Sequence, residues 1–202
     1  YYLDVQWPFP RSLHGDVIDR ISAADPRVIA YDVQFTEPTT AAEDNALVYA
    51  VNRAGKVVLA TTGVADNGET DVFGGEALLR RIGARAANAV VESERDGSVR
   101  RILYSHQGLK TFAVVAVEEA TGREVDESDF PEDGVWIDFA GHPGTVPVVS
   151  FSDVLDGEVD PDFFHDKIVV IGAFIPSLQD LHATSAGGGH MAGPEVQANA
   201  IA

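Results

Sequence analysis

Six side chains in this 202-residue chain are placed to do chemistry: Arg11, Asp32, Glu37, Asp44, Asp180 and Glu195. Asp32 stands at the carboxyl end of the apolar run 27–33. Glu37 follows five residues later in Phe35-Thr36-Glu37-Pro38, and Asp44 falls in the first turn of the next helical stretch. Asp180 follows a second apolar run, 167–172, by a short loop, and Glu195 opens the last helical stretch. In open α/β sheets, ligands bind beyond the carboxyl ends of the strands, so these acids can share one rim. Carboxylates gathered there repel one another, and one of them then holds a proton or attracts a cation. Asp32, Glu37 and Asp180 together could hold magnesium or calcium through oxygen. Arg11 offers another outcome, because its forked guanidinium can neutralise a carboxylate, with Asp32 the expected partner. Plain structural roles also fit: Asp44 suits the positive end of a helix dipole.

Common enzyme signatures are absent. The sequence contains no Walker loop, dinucleotide glycine fingerprint, zinc-protease helix, EF-hand loop or nucleophile elbow. Without cysteine there is no disulfide, thiolate metal site or cysteine nucleophile. The histidines (His14, His106, His142, His165, His182, His190) are scattered, and none has a second histidine three to five residues away. They read as surface or loop residues. Gly187-Gly188-Gly189-His190 carries no lysine and reads as a mobile loop rather than a phosphate cradle.

Charge narrows the partners. Acidic residues number 32 against 14 basic ones, a net charge of −18, which repels nucleic acid and anionic lipid surfaces. The expected ligand is a small molecule or an ion. Hydrophobic residues at 45% and charged residues at 23% are ordinary for a globular domain.

The elements that must position these side chains follow from hydrophobic period. Leu13, Val17, Ile21 and Ala24 recur at helical spacing until Pro26 ends the stretch. The strand 27–33, a helix through Leu47, Ala50, Val51 and Ala54 closed by Gly55, and the strand 56–61 form a βαβ unit. Segments 88–92 and 98–104 flank Asp96-Gly97 and predict a hairpin. A helix over 112–120, a strand over 135–139, a helical turn at 153–155, the strand 167–172 and a final helix from Glu195 complete the pattern. The acidic stretches 64–71 and 121–133 read as surface excursions. The fold class is α/β, a single three-layer domain with a mixed, mostly parallel sheet and a β-hairpin insertion. The final helix is expected to point away from the domain.

Several blocks of the sequence share a wider pattern. They are Trp7-Pro8-Phe9-Pro10-Arg11, then Val28-Ile29-Ala30-Tyr31-Asp32-Val33 with Phe35 and Glu37-Pro38, then Asp138-Phe139-Ala140-Gly141 and Val149-Ser150-Phe151-Ser152-Asp153-Val154-Leu155-Asp156-Gly157. Phe164-His165-Asp166-Lys167-Ile168-Val169-Val170-Ile171-Gly172-Ala173 follows, and Gly193-Pro194-Glu195-Val196-Gln197-Ala198-Asn199-Ala200-Ile201 ends the series. In this order they resemble the type-two CHASE extracellular sensory domain, with only a loose match over 62–134. The resemblance implies a non-catalytic, extracytoplasmic sensor of a bacterial membrane receptor. It sits between membrane spans that flank it, and it feeds a cyclase, a histidine or serine/threonine kinase, or a cyclic-dinucleotide enzyme. It also implies a first strand upstream of Tyr1, which would leave a sheet edge open or completed by a second copy of the chain. Two positions depart from the family pattern: Gln197 stands where histidine is usual, and Ser185 where proline is usual. The residues themselves leave two other readings, a divalent-cation-dependent hydrolase-like enzyme and a ligand-free dimerisation module. No cofactor is expected beyond a magnesium or calcium ion.

Overall fold

The computed structural model describes residues 7–65, 68–174 and 180–202. Its elements in chain order begin with α1 (Arg11–Ser22), β1 (Val28–Asp32), α2 (Ala41–Ala54), β2 (Val57–Thr61), α3 (Gly75–Ile82) and β3 (Ala84–Asn88). Four short strands follow, β4 (Ser98–Val99), β5 (Arg101–Ile102), β6 (Ser105–His106) and β7 (Leu109–Lys110), and then α4 (Phe112–Thr121) and β8 (Val135–Trp136). The last elements are α5 (Phe151–Asp156), β9 (Ile168–Gly172), β10 (Leu181–Thr184), β11 (His190–Ala192) and α6 (Gly193–Ile201).

Strands that are predominantly apolar need cover on both faces. β1, β2, β3 and β9 provide it by forming one parallel sheet in the order β3-β2-β1-β9. Because side chains alternate along a strand, Ile29, Tyr31, Val57 and Leu59 pack under α1, α2, α3 and α5. Val28, Ala30, Val58 and Ala60 pack under α4 and the end of α6. The result is the expected three-layer α/β domain. Local signals set the helix ends: Thr40 Oγ1 accepts from Glu43 N at the start of α2, and Gly55 ends it in the left-handed region at φ 73°. Three valines do not prevent α4, since burial of Val114 and Val115 outweighs their weak helix preference.

Two expectations change. First, Asp96-Gly97 does form a turn, with Gly97 N donating to Glu94 O and Glu94 N to Ser98 O. Its flanks do not ladder. The chain before it enters the main sheet earlier, as β3 beside β2, and β4 pairs in parallel with β10. Burying Ala86, Ala87 and Asn88 beside β2 wins over the local turn. The hairpins lie elsewhere: β6–β7 turns through Gln107-Gly108, and β10–β11 turns across Gly187-Gly188-Gly189. The triglycine thus links two paired strands. Second, α6 does not stand away from the domain. It lies against β9 and α4, where Ile201 finds apolar partners, and Val196 packs with Val99, Ile137 and Met191, while Ala202 beyond it is exposed. β9 lies at a sheet edge: its outer side has no strand partner among the described residues, and all five of its residues are half-buried. Of the excursion 64–71, residues 66 and 67 lie outside the described residues.

Candidate functional site

The sheet changes direction at β1. β2 and β3 lie to one side and β9 to the other, so the carboxyl ends of β1 and β9 border the place where connections diverge. Asp32 ends β1 and registers opposite Gly172, the last residue of β9. Asp180 precedes β10, and its Oδ1 lies 2.9 Å from His182 Nε2. No hydrogen bond or ion pair reaches the Asp32 carboxylate among the described residues. Burial, and then the charge of Asp180, raise its pKa from 3.8 to about 7, with His182 opposing the shift.

The amino end of α6 closes this corner. Gly193 N donates to Asp180 O at 3.1 Å. A Cβ on Gly193 would collide with the Asp180 carboxylate, and one on Gly172 would collide with the Pro194 ring. Both glycines are therefore required by close approach of backbone to side chain. Here two carboxylates, one imidazole and a helix amino terminus meet. Such a set can exchange a proton or pair with a cationic group. It contains no activated nucleophile.

The other expected residues separate from it. Arg11 does not pair with Asp32. Its Nη1 donates to Asp44 Oδ1 at 2.6 Å, its Nη2 donates to Glu37 O, and its guanidinium lies 4.3 Å from the Phe73 ring centroid. Thr39 adds its N–H and hydroxyl to Asp44. The Thr39 hydroxyl foremost, with the Thr39 N–H and Arg11 assisting, holds the Asp44 carboxyl below its usual range against the effect of burial. The Glu37 side chain is exposed, and only its carbonyl takes part. Glu195 is buried: Oε1 accepts from Gly144 N (2.8 Å) and Val146 N (3.4 Å), while Oε2 has no partner among the described residues. It ties the 144–146 loop to α6. Among the described residues, no three His, Cys, Asp or Glu side chains converge as metal ligands. Asp32, Glu37 and Asp180 thus do not form the trio that a divalent cation would need.

A family model described as the CHASE2 domain matches residues 2–202. The chain belongs to the CHASE2 family. No curated protein and no solved structure matches it. CHASE2 domains are extracellular sensory domains of signalling proteins, generally non-catalytic, so an extracellular sensory role is the function that membership carries. Among the described residues of this CHASE2 domain, no helix is long and apolar enough to cross a membrane.

Two histidines of the CHASE2 domain matter more than their scatter suggested. His182 is two residues from Asp180, so both side chains fall on one side of an extended chain, a spacing that could have marked the pair. His14 is not a surface residue. It is 3% exposed, with Nδ1 2.6 Å from Tyr31 Oη and with Phe35 and Phe151 packed edge-on against its ring. Burial lowers its pKa to about 4, so it is neutral. Its helical spacing to Val17, Ile18 and Ile21 is the signal that places it on the buried face of α1.

Proposed function

We propose that this CHASE2 domain is the extracytoplasmic ligand-sensing part of a bacterial transmembrane receptor of the cyclase or kinase type, with no catalysis of its own. One contact supports the reading. The amino end of α6 rests directly on Asp180, beside Asp32 and His182, so a change of charge in that corner acts on the helix with no loop between. The ligand is a small molecule or ion, and the acidic corner favours a cationic group. The membrane enters through flanking segments, and no nucleic acid is involved.

Thermal shift on the domain tests this, because a ligand that binds only the folded state raises the melting temperature. A panel of sodium, potassium, magnesium, calcium, ammonium, small organic amines and neutral metabolites is run on wild type and on Asp180→Asn. A stabilising cationic hit that Asp180→Asn loses supports the reading. A flat panel, with a stable dimer by sedimentation, favours a dimerisation module built on the β9 edge. Metal-dependent hydrolysis of an ester or phosphate ester, added separately as substrate, would favour the enzyme reading.

A further inference from the structure

The amino-terminal end of the sheet, opposite the Asp32 corner, carries a cleft between the ends of α1 and α2. It measures about 310 Å3, at the small end of the range for small-molecule sites. Both helices stop here: α1 at Ser22, and α2 at Ala54, where Gly55 turns the chain through the left-handed region. Ile29, buried near the start of β1, gives the cleft an apolar surface, with Pro26 and Ala54 beside it. Asp25 and Lys56 also line it, and both are exposed.

Neighbouring charges at this end of the sheet find partners. Arg53 makes two bonds to Asp19, tying α2 to α1, and Arg27 grips both carboxylate oxygens of Asp166, tying the start of β1 to that of β9. Asp25 and Lys56 do not. Neither side chain has a hydrogen bond or ion pair among the described residues, so two opposite charges stand on one cleft without meeting. The backbone under Asp25 is fixed from both sides. Its φ is 54°, in the left-handed region, its N–H donates to Ser22 O, and its carbonyl accepts from Asp166 N. The carboxyl end of α2 adds partial negative charge, from carbonyls that have no helical amide to accept from.

We infer that this cleft is a binding site for a small zwitterion, a primary amine and a carboxylate joined by a short apolar body, of which an ω-amino acid is the simplest form. The ammonium lies by Asp25 and the helix carbonyls, the carboxylate by Lys56, and the methylenes over Ile29, Pro26 and Ala54. A lone cation leaves Lys56 unanswered, and a lone anion leaves Asp25 unanswered; a ligand carrying both signs complements both. Such a molecule has no net charge, so the −18 of the chain does not repel it. The site stands at the other end of the strands from the Asp32 corner, and it does not rest on the sensory reading.

Amide NMR on this chain decides it, with glycine, β-alanine, γ-aminobutyrate and δ-aminovalerate as probes of increasing charge separation. Butylamine and butyrate, which keep one charge each, are the controls. One member of the series should give saturable shifts at Ser22, Gly55 and Lys56, with His182 and Gly193 of the far corner unchanged. It should bind about fivefold more tightly than either control, the upper worth of one exposed ion pair. Asp25→Asn should bring that probe down to the affinity of butyrate, and Lys56→Gln to that of butylamine. Both positions are exposed, and asparagine accepts the left-handed backbone, so the fold stays. Shifts that do not saturate, equal binding of the probe and both controls, or an affinity untouched by either substitution would overturn the proposal. Saturable shifts confined to Gly193 that Asp180→Asn abolishes would also overturn it, since they place the probe in the Asp32 corner and leave the sensory reading standing.

Discussion

Asp44 and Asp32 lie only twelve residues apart, one just past the start of α2 and the other at the end of β1, and both are withdrawn from water. Their electrostatic states are opposite. Asp44 takes a guanidinium, a hydroxyl and a backbone N–H, and stays ionised. Asp32 faces another carboxylate and takes no hydrogen bond among the described residues, and its ionisation is postponed to about 7. Burial alone therefore does not decide the charge of an acid; the donors within reach do. The satisfied corner locks α1 to α2, and the other corner keeps a carboxylate without a donor among the described residues.

The sharpest way to break this contrast is Arg11→Ala. It leaves Asp44 with Thr39 alone and strips the cation from Phe73. Thermal denaturation should show a loss on the order of 10 °C, since removing one partner strands the other charge. An unchanged melting temperature would mean that Thr39 suffices.

His14 comes next. Its pKa is about 4 in the fold against 6.5 unfolded, so between these values the unfolded chain binds more protons. Stability is therefore present above pH 6.5 and falls as pH drops toward 4, by about 3 kcal/mol. Urea titrations across that range should show the slope in an Asp32→Asn background, where the opposing titration is removed, and its loss when His14→Gln is added.

Asp32 runs the other way. Its pKa is raised from 3.8 to about 7, so in that window the folded chain binds more protons, and stability declines as pH rises through 7. Asp32→Asn should leave stability unchanged at pH 4 and raise it by about 2 kcal/mol at pH 8, after allowance for partial solvent screening. A destabilised Asp32→Asn at pH 8 would show that the carboxylate is stabilised by a donor. The two slopes oppose each other, so wild type alone hides both. The smallest effect belongs to Arg27→Ala: the Arg27–Asp166 pair is bidentate but exposed, so the melting temperature should move by about 1 °C or less, and less still in high salt.

Much of the fold was legible from short-range pattern. The three apolar runs share one sheet, and Gly55, Gly122 and Gly157 stop helices where their chemistry says they should, whereas α1 ends at Ser22, short of Pro26. What failed was what depends on distant partners. Asp96-Gly97 encodes its own turn but not which strand lies beside β4, because that partner is β10, more than eighty residues away. Likewise Arg11 could be seen as a forked donor, but its acceptor is chosen by the crossing of α1 over α2. That crossing is close because Gly15 lacks a Cβ: one built there would come within 3.1 Å of Ala46 O. Asp32 and Asp180 were legible as a pair because both follow strands of the same sheet. Glu37 has the same sequence credentials and faces solvent, since only its carbonyl is held. The buried amide of Gln197 gave no sequence signal beyond its departure from the family histidine.

The pairing of β1 with β9 joins Val28 to Ile168, 140 residues apart. The α1-to-β3 half can assemble from near neighbours, whereas this closure must overcome the loop entropy of most of the chain. Refolding should therefore proceed in two stages, with β9 and the α6 packed on it arriving last. By the same reasoning they should be the first to open in native-state hydrogen exchange. Asp32's corner is completed by that late segment, so it would belong to the part of the protein that comes undone most easily.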